Sequence, residues 1–179
     1  MRDFPLLSKA HNLSTIVWSL TTLDEKVKRI LEPFTPSAKG IIRAMKKAKG
    51  YNLRFGINID PIIPKVNDDV KMLMALVDIA KDCGAEFVAG GILRLRKDIF
   101  DRIRRLFLSL GWKEKLNFIE RVYFERPKML NGYLLASKNY EDKILNFLKR
   151  YTEEKGLIYG FPNLYPISET SQLLLDVYI

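Results

Sequence analysis

The sequence has one cysteine, Cys83, and one histidine, His11, among 179 residues. One thiol cannot close an internal disulfide, and two soft donors cannot build a zinc or iron–sulfur centre. Long hydrophobic runs are missing too. The longest stretch free of Asp, Glu, Lys and Arg is residues 10–23, fourteen positions against the ~18 or more that a membrane span requires. Arg2, Asp3, Pro5 and Lys9 leave no room for the apolar core of a secretory signal, so a cytoplasmic protein without membrane attachment is expected. Acid is scarce relative to base. Thirty Lys plus Arg against 21 Asp plus Glu leave a net charge of +9, which makes nucleic acid a candidate partner. The basic residues cluster in two stretches, Arg43, Lys46, Lys47, Lys49 and Arg54, then Arg94, Arg96, Lys97, Arg102, Arg104 and Arg105. Solvated helix faces would look the same.

The hydrophobic share of 47% fits a folded chain, and the length suits one compact unit with an appendage. A short helical pattern over 3–10 precedes a run at 14–20, where Ile16, Val17 and Trp18 adjoin rather than alternate. Such a strand is expected to be buried on both faces. Thr22 or Asp24 can cap a helix to Glu32 with Val27, Ile30 and Leu31 on one face, and Ser37 opens another carrying Ile41, Ile42 and Met45 to Gly50. Residues 53–60 alternate strictly, a strand with one apolar face. Pro61 and Pro64 end it, Asn67 is placed to cap the helix that stops at Gly84, a third strand covers 86–95, and Asp98 opens a helix to Leu110. Strand and helix in alternation predict parallel strands with crossover helices. Residues 1–111 therefore read as a (β/α) array, and residues 112–179 as an α-rich appendage on the same unit.

In sheets of this kind the chemistry gathers at the carboxyl ends of the strands. Those ends read Ser19 to Asp24, then Asp60 to Pro64 with Asn67-Asp68, then Leu93-Arg94-Leu95-Arg96. With Leu31-Glu32-Pro33 and Pro36-Ser37 between them, this ordered set resembles the second half of the radical S-adenosylmethionine domain in the family of spore photoproduct lyase and its DNA-repair-photolyase-like relatives. The likeness covers about ninety residues. It implies a partial (β/α) barrel, with S-adenosylmethionine lying across the strand ends.

By that resemblance Ser19 and Thr21 would offer hydroxyls to the cofactor, while Asp60, Pro61, Ile62 and Ile63 would form the loop under its adenine. In such enzymes a reduced 4Fe-4S cluster cleaves the cofactor to a deoxyadenosyl radical. The Cys-x-x-x-Cys-x-x-Cys loop that holds the cluster is absent here, so the chain resembles the carboxyl-terminal half of a lyase-like enzyme. A separate amino-terminal half would have to complete it, or the chain would pair as a homodimer through the strand at 14–20. The residues themselves leave other readings open. Thr21 and Thr22 equally suit a helix start, residues 60–64 a rigid connector, and Asn67-Asp68 a helix cap. Arg94 and Arg96, two apart on a strand, suit a phosphate or carboxylate of a substrate, or simply a solvated strand end. The rival function is a non-catalytic remnant that binds nucleic acid or protein through its basic surface.

Overall fold

The computed structural model describes residues 1–9 and 14–162; His11 lies outside them. The fold is mixed α/β. Its main sheet is built from β1 (Ile16–Ser19), β2 (Phe55–Ile62), β3 (Phe87–Ile92) and β6 (Ile158–Tyr159), in the order β1-β2-β3-β6 and parallel throughout. Helices make the crossovers. α1 (Phe4–Lys9) precedes β1; α2 (Glu25–Leu31) and α3 (Ala38–Gly50) join β1 to β2, and α4 (Val70–Cys83) joins β2 to β3. From β3 the chain runs through α5 (Lys97–Ser109), α6 (Lys113–Phe124), the antiparallel hairpin β4 (Lys128–Leu130) and β5 (Tyr133–Leu135), and α7 (Lys138–Glu154) before it returns as β6. No helix among the described residues is long and apolar enough to cross a membrane.

Local chemistry explains the element ends. Ser37 caps α3 by accepting from the Gly40 amide, and Gly84 closes α4 at φ 88°, a conformation that glycine adopts without steric penalty. Asn52 turns into β2 at φ 53°, the left-handed region that asparagine tolerates better than most residues. The cap of α4 is Asp69, whose carboxylate accepts from the Met72 amide, rather than Asn67. Asn67 is almost fully buried, and its amide is committed elsewhere.

The core fills the space between sheet and helices with Met45, Phe55, Ile57, Ile59, Leu73 and Phe107, each no more than 1% exposed. Removing such a side chain from water stabilises by ~1.5–3 kcal/mol. β1 departs from the expected burial on both faces. Ile16 and Trp18 pack on the core, Trp18 edge-on to Phe4 and Phe55, but Val17 is 43% exposed. The cause is position: β1 is the margin of the sheet, with β2 its only strand partner among the described residues. At the far margin β6 pairs with β3, and α7 packs so tightly over β3 that a Cβ on Gly90 would lie 2.6 Å from the Leu148 side chain.

Candidate functional site at the strand carboxyl ends

Parallel strands deliver their carboxyl ends to one side of the sheet, and a cavity of about 450 Å³ opens there. One wall is the end of β1, with Ser19 exposed and Thr21 almost buried. A second is the end of β2, with Asp60, Pro61 and Ile63. The end of α2 and the turn after it supply Leu31, Glu32 and Thr35, and α5 closes the space with Arg102, Ile103 and Leu106. The lining is mainly aliphatic, interrupted by hydroxyls and three charged groups.

Beneath the β1 wall lies a polar network. Lys28, 2% exposed, reaches forward one helical turn to Glu32, with Nζ 2.7 Å from Oε2. Thr21 donates its hydroxyl to Glu32 Oε1, and the Thr35 hydroxyl donates to Oε2 at 3.1 Å. Burial pushes the Glu32 carboxyl up, but the hydrogen bonds from Lys28, Thr21 and Thr35 and the Lys28 charge outweigh it and hold the group below the ordinary carboxylate range. Thr21 is therefore spent on Glu32. Of the two hydroxyls at the end of β1, Ser19 is the exposed one. Helix α2 is started by Asp24, which accepts from the Lys26 and Val27 amides, while Thr22 accepts from the Asp24 amide.

Asn67 ties the two strand ends together. Its Oδ1 accepts from the Ile63 amide at 2.6 Å, and its Nδ2 donates to the Thr21 carbonyl at 2.9 Å and the Pro61 carbonyl at 3.1 Å. One buried side chain thus sets the spacing between the β1 and β2 walls. Asp68 is engaged differently, accepting from the Tyr140 hydroxyl of α7 at 2.7 Å.

Of the four residues assigned to the loop after β2, Asp60, Pro61 and Ile63 line the cavity. Ile62 does not, because its side chain is fully buried in the core. The Asp60 carboxyl is pushed up by burial and pulled back by the charge of Arg94. Arg94 and Arg96 are not brought to one anion. Between them Leu95 forms an antiparallel bridge to Leu134, and the two arginines line separate cavities. Arg94 borders a space of about 120 Å³ with Gly91 and Glu141. Arg96 borders one of about 590 Å³ with Phe100, Phe124 and Met129, and its guanidinium is held by Asp98 at 3.1 Å. The basic stretches divide in the same way. Arg54 is paired with Glu86 at 3.0 Å, whereas Lys39, Arg43, Lys46, Lys47 and Lys49 of α3 are exposed.

Residue type alone assigns no site role to Glu32, Lys28, Thr35 or Arg102. The available signal was the four-residue spacing of Lys28 and Glu32, which lets the pair meet on one helix face. As to metals, Cys83 is buried on α4, and no three His, Cys, Asp or Glu side chains among the described residues are grouped to hold an ion. The donors present do not fit an iron–sulfur cluster.

No family model matches the sequence, and no solved structure matches the fold. A curated relative is the uncharacterized protein ORF301 of Acidianus two-tailed virus, 33% identical over 150 residues. The match takes in 79% of this chain and 48% of the viral protein, so the chain spans about half the length of the relative that it resembles.

Proposed function

We propose that the cavity at the strand ends is a nucleoside-cofactor site of the S-adenosylmethionine kind, within the second half of a radical-type (β/α) barrel. The observation that carries this reading is convergence. Ser19, Thr21, Asp60, Pro61 and Ile63, assigned to the cofactor by resemblance from two stretches forty residues apart, line one cavity whose volume lies within the 300–1,000 Å³ usual for small ligands. Aliphatic walls suit a base, and the exposed Ser19 hydroxyl can both donate and accept. What the cofactor supplies when bound is a cleavable sulfonium. What this chain supplies is a binding wall, while a cluster-bearing half provides the reductive chemistry and docks along the open margin at β1. Catalysis in this reading belongs to the completed assembly. Arg94, which lines a neighbouring cavity and whose charge reaches Asp60, and Arg96 on a further cavity remain candidates for substrate contacts.

Calorimetry with S-adenosylmethionine tests the site. With half a pocket present, a Kd in the high micromolar to millimolar range is expected, or roughly 4 to 6 kcal/mol, weakened in Ser19→Ala. Equal affinity in both proteins, or no heat at millimolar ligand, overturns it.

A second reading is favoured by one observation, the exposed cationic face of α3. It is a module that binds nucleic acid electrostatically without catalysis. Its mark would be an affinity for arbitrary duplex DNA that falls steeply with salt and is lost when Lys46, Lys47 and Lys49 are changed to Glu.

A further inference from the structure

We infer that Glu32 is a specificity-determining residue of the cavity, the acceptor for a vicinal diol on the ligand. The inference rests on the nucleoside reading only in taking ribose as that diol.

An ionised carboxylate offers about four acceptor positions. Three are filled, by Thr21 on Oε1 and by Lys28 and Thr35 on Oε2. Oε1 therefore keeps an open lone pair, and the side chain, 21% exposed, borders the cavity. Such a group only accepts, so the ligand must bring a donor, and a phosphate or carboxylate is repelled at this end. The local charge selects the kind of donor. Lys28 behind Glu32, Arg102 across the cavity and Arg94, whose charge reaches Asp60, together outweigh Glu32 and Asp60 by one formal charge, so a cationic ligand gains little, while an anion still meets the Glu32 carboxylate. Neutral hydroxyls fit that balance. Ser19, exposed on the β1 wall of the same cavity, can serve the second hydroxyl of a pair, while Leu31, Ile63, Ile103 and Leu106 receive the apolar remainder. The three donors on Glu32 come from the end of β1, from α2 and from the turn beyond it, so the carboxylate is oriented before any ligand arrives.

Titrations followed by NMR, with adenosine and with 2′,3′-dideoxyadenosine, test this. The wild-type chain should prefer adenosine by about tenfold or more, as expected for a charge-assisted hydrogen bond. In Glu32→Gln the preference should shrink to within about threefold while dideoxyadenosine binds as before, because the charge-assisted bond alone is lost. If Glu32→Gln is poorly folded because Lys28 is left unpaired, the double variant Lys28→Met/Glu32→Gln removes both charges at similar volume and should show the same loss of preference. An undiminished preference in the variants, or none in wild type, overturns the role of Glu32 and leaves the nucleoside site standing. Failure of wild type to bind either nucleoside at millimolar concentration overturns both.

Discussion

Asp60 and Gly91 lie so close across β2 and β3 that a Cβ on Gly91 would fall 3.0 Å from Asp60 Oδ2. The bare Cα of Gly91 therefore helps to set where the carboxylate stands. Gly91→Ala should swing the end of that flexible side chain aside at a cost below about 1 kcal/mol, since no backbone need move. Its effect should appear at the site instead. Asp60 is pushed up chiefly by burial, so displacement toward solvent should lower its pKa in a carboxyl-carbon NMR titration. An unchanged titration would mean that Gly91 does not position Asp60.

Lys28 and Glu32 should behave as a coupled unit. Lys28→Met strips the counter-charge from a largely buried carboxylate and is expected to cost about 2–3 kcal/mol, at the low side for buried pairs because Glu32 keeps some solvent. Lys28→Met/Glu32→Gln should recover much of that loss. The pH dependence has a definite sign. The folded-state pKa of Glu32 is depressed, so its stabilisation is present above the unfolded pKa and is lost as pH falls through the folded one. Asp60, shifted the other way, contributes oppositely but equally to both proteins. Chemical denaturation from pH 7 to about pH 3 should therefore show wild type losing more stability than the double variant. Parallel curves would contradict the proposed network.

Asn67 makes three hydrogen bonds to backbone groups from an almost fully buried position. Asn67→Ala leaves the Ile63 amide and the Thr21 and Pro61 carbonyls without their side-chain partner, and should cost about 2–4 kcal/mol. Asn67→Asp restores the acceptor but not the two donors, and should recover little. Thermal unfolding distinguishes this from a conventional cap, whose loss costs about 1 kcal/mol.

The margin at β1 should drive association. Val17 is 43% exposed on a strand whose outer side has no strand partner among the described residues, and neither lysine nor proline interrupts Ile16–Ser19. Light scattering at micromolar concentration should give a mass above the 20.8 kDa of one chain. Val17→Lys should return it to one chain, and a wild-type monomer would remove this margin as an interface.

The strands and crossover helices were legible because each apolar face imposed its own period, two along β2 and 3.6 along α4. The burial of β1 was misjudged because adjacent apolar residues say nothing of how many strands flank them. The residue type of Asn67 fits a helix cap, whereas three backbone partners up to forty-six positions away claim its side chain. Glu32 and Lys28 were hidden by their charge. A lysine on a helix reads as solvent-facing, whereas Lys28 is buried and paired with Glu32 one turn on. Arg94 and Arg96 do not share one strand face because β3 stops at Ile92, and both lie in the segment beyond it, where Leu95 bridges to Leu134.

The last strand of the sheet among the described residues, β6, is supplied about seventy residues after the one it pairs with, Phe87 opposite Ile158. Closing a loop of that length costs roughly 4 kcal/mol of chain entropy before any contact repays it. Only two residue pairs form the ladder, so the return is secured by α7 packing on β3 rather than by the strand itself. During synthesis, β1, β2 and β3 can assemble early while the β3 margin waits for the ribosome to release residue 159. A nascent chain halted before that point would present an unpaired, strongly hydrophobic strand to chaperones or to other nascent copies. Productive folding of this protein is thus tied to the completion of translation through β6, as expected where a sheet margin is closed by so distant a contact.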